Sequence, residues 1–487
     1  MSEQSTATPA SDEVVVIGAG PGGYATALGL AQAGRRVRLV DAGGVGGTCL
    51  RRGCIPTKTL LESARVADAV RRAAEFGVAC GDPVLRPAAV LANWPAIRAR
   101  QARVVGALAG GLEALLRGAG VTIQRGWATL RLPGADGAPR VHVAPVEPGG
   151  GGGGTLDLAP DAVVLAPGAT AARPPFPGRS TPGVVDSDGL LALEECPRRL
   201  CIVGGGAIGC EFASAFADLG TEVTIVEALP QLLPRAEPEA ARRLQAAFRR
   251  RGIAVSTGAR VLGIVSGPVV RIADGGSARE LPADVVLVAV GRHPATAGLG
   301  LTEAGVRLGP SGEIQVDRAF STTASRVWAV GDALGGPMVA HAAFHQAATV
   351  VAAMAGAPPA PVPALAQPVF CWPEVAWVGC TEAEARAAGA EVRVARVPFA
   401  ALGRAHAAGE TDGFCKLVAD AGGRLLGAHL VGAHATELIG AACVALSLGA
   451  AAQALLDAGF PHPTLSEALG ETAGLLLGRP LHVPSAR

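Results

Sequence analysis

An α/β chain with two nucleotide-sized parallel-sheet units and a C-terminal α+β region is predicted by three observations. A strand, glycine turn, helix and strand follow one another in VVVIGAGPGGYATALGLAQAGRRVRLVD, and the pattern returns in LCIVGGGAIGCEFASAFADLGTEVTIVE. Strand and helix signals alternate again beyond a Pro- and Ala-rich linker from Gly356 to Pro368. The length of 487 residues allows about three domains at roughly 100–200 residues each.

In the first unit Val14 to Ile17 forms a continuous apolar run, as expected of a strand buried on both faces. A helix follows from about Gly22 to Ala33, then a strand from Val37 to Val40 that ends in Asp41. The second unit repeats this with a strand at Leu200 to Val203, a helix from Ala207 to Leu219, and a strand from Glu222 to Val226 ending in Glu227. Between them lie an Arg- and Ala-rich helical stretch, Asn93 to Arg117, and short strands interrupted by the glycine run Gly149 to Gly154, expected at a hairpin tip without chemistry. Strands are predicted at Asp284 to Arg292, Val327 to Ala333, Val392 to Val397, Gly413 to Val418 and Leu425 to Val431. The uncharged stretch Leu438 to Leu456 approaches bilayer-spanning length, but its Ala, Gly, Ser and Gln content and the flanking Glu437 and Asp457 favour one buried or interfacial helix.

Composition excludes several classes of partner. Lys plus Arg (42) nearly balances Asp plus Glu (41), leaving a net charge of +1, too little for a nucleic-acid or anionic-membrane surface. Hydrophobic residues make up 49% of the chain and aromatics 3%, so the core rests on Ala, Val and Leu. Ten cysteines in a chain this long do not make a disulfide scaffold, and the start MSEQSTATPASDE has neither a basic n-region nor an apolar h-region, which predicts a cytoplasmic protein.

Three groups of residues point to chemistry. Gly18, Gly20 and Gly23 form a GxGxxG between strand and helix, with Asp41 at about the 20-residue spacing of a dinucleotide fingerprint. Glycines permit the tight turn and the approach of a pyrophosphate, the helix N-terminus favours its charge, and the acid suits a ribose. Gly204, Gly206, Gly209 and Glu227 repeat the set, so two Rossmann-like sites are expected; Glu227 would repel a 2′-phosphate, favouring NAD over NADP. Helix packing is the plainer use of such glycines in a chain holding 67 of them.

Cys49 and Cys54 lie in GGTCLRRGCIPTKTLL. A disulfide between them would add only about 2 kcal/mol of chain entropy, against about 4.7 for a 100-residue loop. A redox couple suits the spacing better, with a nearby helix start and Arg51, Arg52 and Lys58 favouring a thiolate. Two ordinary buried cysteines are the alternative; no further Cys/His cluster has metal-site spacing, so no metal is expected. In FPHPTLSEALG, Thr464 and Glu467 fit a capping box after Pro463, or Glu467 orients His462 as a general base. The residues alone leave these two readings even.

With GAGPGG, GGTCxxxGCIPTK, GGGAIGCEFAS, VGRHP, AVGDA, GPMVAHAA, WPEVAWVG, GRA and HPTLSEAL in this order, the chain from Val14 to about Leu475 resembles the flavoprotein disulfide reductases, and among them the dihydrolipoamide dehydrogenases. The resemblance implies an FAD-binding domain at 1–165 completed by 290–360, an NAD-binding domain at 166–289 and a dimerisation domain at 361–487. It places FAD on Gly18, Gly20, Gly23, Asp41, Thr48, Lys58, Gly168, Asp332, Ala340 and His341, and NAD on Gly204, Gly206, Ile208, Gly209, Glu227, Val261 and Gly291. By the same resemblance Cys49 exchanges with substrate, Cys54 contacts the flavin, Lys58 pairs with Glu211, and Glu467 orients His462, the base, which reaches across a homodimer. The implied reaction is oxidation of a protein-bound dihydrolipoyl group by NAD, the partner being the lipoyl domain of an acyltransferase or a glycine-cleavage carrier.

The chain departs from the family at several positions. Pro167 precedes Gly168 where Thr is common, Phe460 stands where His is frequent two before the catalytic His, Leu402 and Gly403 precede Arg404 where an amide residue is usual, and Ala207 holds the position of the Tyr that gates nicotinamide in glutathione reductases. Another NAD(P)H-dependent disulfide or mercuric reductase, or a redox-sensing flavoprotein without turnover, are the alternatives. Glu227 argues against the NADPH-linked glutathione enzymes, the tail GRPLHVPSAR lacks the cysteine pair of mercuric reductases, and soluble transhydrogenases lack the redox disulfide.

Overall fold

The computed structural model describes residues 12–78, 92–146 and 154–484. The chain forms two compact units, one of Met1–Pro56, Gln101–Ala172 and Arg292–Val362, the other of Thr57–Arg100, Arg173–Gly291 and Pro363–Arg487.

The first unit is built on a parallel five-stranded sheet. Its order is Val327–Ala329, Ala162–Leu165, β1 (Glu13–Ile17), β2 (Arg36–Asp41) and Thr122–Arg125. Val14, Val15 and Val16 are wholly buried, as a central strand covered on both faces requires. Helix α1 (Pro21–Gln32) starts with Pro21 in its first turn, where the missing N–H costs nothing, and packs against the helix Ala340–Met354. Two helices follow β2 along the chain, the short α2 (Gly47–Arg52) and the longer α3 (Cys54–Arg71), which from Thr57 on belongs to the second unit.

The second unit repeats the sheet as Ala254–Thr257, Glu222–Glu227, Arg199–Val203, Val285–Val288 and Val184–Val185, again parallel. The same unit holds an antiparallel sheet ordered Gln367–Val369, Glu374–Gly379, Leu425–Gly432, Phe414–Asp420 and Val392–Pro398. Its core joins Phe399, Leu417 and Leu430 to helices Ala435–Ser447 and Glu467–Leu476. Burying side chains of this size contributes about 1.5–3 kcal/mol each.

The structure corrects two sequence expectations. The stretch Leu438 to Leu456 is two helices, Ala435–Ser447 and Ala452–Asp457, because Gly449 takes a left-handed φ of 64° and ends the first. Among the described residues no helix is long and apolar enough to cross a membrane. The segments Asp284 to Arg292 and Val327 to Ala333 are not continuous strands: the first is strand over Val285–Val288 with Arg292 opening a separate strand, Arg292–Pro294, and the second is strand over Val327–Ala329; Gly291 (φ 124°) and Gly331 (φ 82°) take conformations outside the strand region. The glycine run at 149–154 lies outside the described residues except for Gly154.

Candidate active site

The two glycine loops are nearly superimposable in their logic. At Gly18 (φ 100°) a Cβ would stand 2.1 Å from the Ala166 carbonyl oxygen, and at Gly23 it would stand 1.7 Å from that of Gly18. At Gly204 (φ 111°) the clash is with Ala289 at 2.4 Å, and at Gly209 with Gly204 at 2.0 Å. These four glycines are needed for packing. Gly20 and Gly206, which cap α1 and the helix Ala207–Asp218, face open space instead. The open space at Gly20 and Gly206 leaves room beside each helix N-terminus, which suits a pyrophosphate.

The acids at the strand ends hold these loops. Asp41 accepts the Ala19 N–H at 2.7 Å and the Gly44 N–H at 2.6 Å; Glu227 accepts the Gly205 N–H at 2.6 Å and the Leu229 N–H at 2.7 Å. Each carboxylate keeps further lone pairs for a ribose hydroxyl. Gly168 turns at φ 76° and its carbonyl accepts the Ala295 N–H at 2.9 Å. The Asp332 carboxylate accepts no hydrogen bond from a described residue; burial pushes its pKa up and Arg292 only partly opposes this. A half-buried acceptor of this kind fits a polyol such as the ribityl chain of FAD. Ala340 and His341 open the helix Ala340–Met354. Ile208 lies in the first turn of Ala207–Asp218, Val261 in the strand Arg260–Val265, and Gly291 just before Arg292–Pro294.

The cysteines sit beside the first loop. Thr48 and Cys49 belong to α2, Gly53 breaks the chain, and Cys54 is the first residue of α3, where the helix dipole favours an anion. The segment is keyed to the nucleotide loop: the Gly46 N–H donates to the Ala19 carbonyl at 2.8 Å, and a Cβ on Gly47 would stand 2.5 Å from Gly20 Cα. Tyr24 on α1 is also here. Burial raises its pKa, and the neighbouring Cys49 and Cys54 raise it further. The sequence reading missed Tyr24; its GPGGY setting, one residue past the last motif glycine, was the available signal.

Two ion pairs complete the set. Lys58 Nζ lies 2.9 and 2.8 Å from the two oxygens of Glu211 and 4.4 Å from the centre of the Phe370 ring, and Glu211 also accepts the Phe370 N–H at 3.1 Å. His462 Nδ1 meets Glu467 Oε1 at 2.8 Å, while Glu467 Oε2 accepts the Thr464 N–H at 2.8 Å. The capping box is thus only half formed: the Thr464 hydroxyl donates to the Pro461 carbonyl, and the helix starts at Glu467. Glu467 serves base and backbone together. His462 is 71% exposed. Phe460 packs on the C-terminal core, and Gly470 leaves it room, since a Cβ there would touch the ring at 3.1 Å. A second pair, His482 with Glu471, was not foreseen from the sequence.

Residues 12–347 match the pyridine nucleotide-disulphide oxidoreductase family, and residues 365–473 match its dimerisation domain. The chain belongs to this family. As a flavoprotein disulfide oxidoreductase of class I it uses FAD and NAD(H), and its dimerisation domain supports a homodimer. Dihydrolipoyl dehydrogenases of Bacillus subtilis and Thermus scotoductus are 35% and 38% identical to it, across 96% and 97% of this chain and 99% and 98% of theirs. Among solved structures, the HOCl-induced flavoprotein disulfide reductase RclA of Escherichia coli is 32% identical with a TM-score of 0.82, over 95% of this chain and 99% of that one. LpdA of Mycobacterium tuberculosis is 28% identical with a TM-score of 0.84, over 95% and 98%.

Proposed function

We propose that this oxidoreductase oxidises a protein-bound dihydrolipoyl group with NAD, as the E3-type component of a 2-oxo acid dehydrogenase or glycine cleavage system. The observation that carries the reading is the exposed His462 held through Nδ1 by Glu467, which leaves Nε2 to take a proton from a substrate thiol. The curated relatives named dihydrolipoyl dehydrogenase along nearly the whole chain support the substrate class.

In this reading His462 removes the proton and the substrate thiolate attacks Sγ of Cys49. The Cys49–Cys54 bond breaks and Cys54 leaves as a thiolate at the N-terminus of α3. Bound FAD supplies the two-electron acceptance from that thiolate and the hydride that passes to NAD. Lys58, fixed by both oxygens of Glu211, keeps a positive charge in place for the reduced state. Asp41 and Glu227 hold the dinucleotide loops, and Asp332 accepts from the ribityl chain. The base acts on the disulfide of the other subunit of a homodimer, and the partner is a lipoyl domain.

The test is NADH formation from dihydrolipoamide, with NADP and oxidised glutathione as controls. Brisk NAD-linked turnover is expected. No turnover with dihydrolipoamide, together with NADPH-linked reduction of another disulfide or of a metal ion, would favour a second reading, a reductase akin to RclA. Phe460, packed on the C-terminal core at a position where dihydrolipoamide dehydrogenases often carry a histidine, is the departure on its side.

A further inference from the structure

The stretch from Glu227 to Glu237 grips the second glycine loop at its middle residue. Glu227 accepts the Gly205 N–H at 2.6 Å, and the Gly205 carbonyl accepts the Leu233 N–H at 2.8 Å. Both backbone groups of Gly205 are therefore committed to one short run of chain. Leu232 and Leu233 are buried, and a Cβ on Gly205 would stand 2.5 Å from the Leu232 side chain. Leu233 takes a left-handed φ of 47°, a conformation that a leucine keeps only where its surroundings impose it. The Ala236 N–H donates to the Leu233 carbonyl at 2.8 Å, and the Gln231 amide donates to the Ala236 carbonyl at 3.2 Å. The turn thus runs without a free joint to Glu237.

Glu237 stands at the N-cap of the helix Pro238–Arg250 and is held there by the antiparallel sheet. The register of that sheet sets Arg396, Lys416 and His429 side by side on three neighbouring strands, and cross-strand partners share a face. This basic row meets Glu237 and Glu239 at the start of the helix, where acids are favoured. Lys416 is only 6% exposed, with Nζ 2.9 Å from Glu237 Oε1 and 2.8 Å from Glu382 Oε2. Glu237 Oε2 accepts the Glu382 N–H at 3.1 Å, and Arg396 pairs with Glu239. His429 Nε2 lies 4.0 Å from Glu237 Oε2, but it donates to the Cys380 carbonyl and burial lowers its pKa, so Lys416 is the cation bonded to Glu237.

The helix has a second clamp. Asp412 pairs with Arg243 and with Arg250, the last residue of the helix. Only the clamp at Glu237 adjoins the stretch that grips Gly205.

We propose that Lys416 is a positioning residue for the NAD site: through Glu237 it holds the 228–236 segment against Gly205, so that the sheet of the dimerisation domain helps set how tightly NAD is bound. The inference rests on the reading of the second glycine loop as the NAD site. Lys416 shares its charge between two carboxylates that stand next to each other, and loss of one partner of a buried pair leaves uncompensated charge. Without the ammonium, Glu237 and Glu382 repel, Glu237 shifts, the turn at Leu233 relaxes and the Gly205 carbonyl loses its donor. The glycine loop then spends part of its time out of the conformation that leaves room beside the helix N-terminus at Gly206.

The experiment titrates NAD into the FAD-loaded homodimer by calorimetry and, separately, follows reduction of the flavin by NADH. Lys416→Met should weaken NAD binding about tenfold. The NADH concentration for half-maximal flavin reduction should rise to match, while flavin content and the saturating rate hold. Glu237→Ala, which removes the tether but leaves Lys416 with Glu382, carries the same expectation and stands in if Lys416→Met fails to fold. Asp412→Asn loosens the other clamp and should lower Tm while NAD affinity stays parental. Parental NAD affinity in Glu237→Ala overturns the proposal. So does an equal loss of affinity in Asp412→Asn, which would make the effect one of general stability. Gly209→Ala separates the two readings. Parental NAD binding there refutes the second loop as the NAD site, whereas weakened binding there beside parental Lys416→Met and Glu237→Ala refutes the Lys416 tether alone.

Discussion

The first and second glycine loops share their skeleton and differ in what covers it. In both, two glycines clear a carbonyl oxygen, a third faces open space, and a strand-end carboxylate gathers two backbone N–H groups. The first loop is overlaid by the cysteine segment, with Gly47 seated on Gly20. The second is flanked by an aliphatic side chain: a Cβ on Gly205 would meet Leu232 at 2.5 Å. Its helix instead sends Glu211 to Lys58. In the proposed reading, duplication serves the binding of two dinucleotides, and the asymmetric additions serve the redox chemistry.

The strongest way to break this comparison is to exchange the cysteines. Cys49→Ser and Cys54→Ser should each lower dithiol turnover by more than about a thousandfold, because no partial disulfide can exchange. Only Cys54→Ser should also lose the long-wavelength charge-transfer absorbance of the reduced protein; equal spectra for the two variants would falsify the division between them. Next in size, Gly23→Ala and Gly209→Ala drive a Cβ into backbone that cannot yield, at a cost of about 1–3 kcal/mol or more. The first should reduce flavin content per chain, and the second should raise the KM for NAD about tenfold while flavin content holds. Loss of flavin in both would mean that the loops are not separate sites.

Glu211→Gln leaves Lys58 without a charge partner and is expected to cost about 1–3 kcal/mol, read as a lower Tm, with dithiol turnover reduced. The smallest effects belong to Gly20→Ala and Gly206→Ala. With open space at both, thermal stability without ligand should change by less than about 0.5 kcal/mol, while affinity for FAD falls in the first and for NAD in the second. An unchanged affinity would show that the open space is not the pyrophosphate cradle.

Much of this was legible in the chain because it is local. Strand, turn, helix and acid within some thirty residues are visible as periodicity, and the Val14 and Leu200 strands lie where the apolar runs placed them. The pairing of His462 with Glu467 was one of two even readings of the residues, and the family resemblance, not the local pattern, favoured it. What failed was governed by details of backbone conformation or by distant contact. Gly449 split an uncharged run that looked like one helix. The Thr464 hydroxyl turned back to Pro461 instead of capping. The loop-holding role of Asp41 and Glu227 requires the carboxylate to curl back on its own glycine turn, which spacing alone does not reveal. The Glu471–His482 pair requires the tail to reverse along the helix, a step that depends on Gly474 having no side chain.

Burial of the remaining cysteines has a bearing on fidelity. Among the described residues, every cysteine other than Cys49 and Cys54 has its thiol pushed up by burial: Cys196, Cys371, Cys380, Cys443 and Cys210 are all raised, and Cys201 and Cys415 reach about 12. Thiol–disulfide exchange proceeds through the thiolate. Burial thus favours the protonated, poorly nucleophilic form of these seven side chains at neutral pH, and in the proposed mechanism a mixed disulfide on Cys49 would meet little competition from them, so that reactive sulfur could be cycled without rewiring the protein.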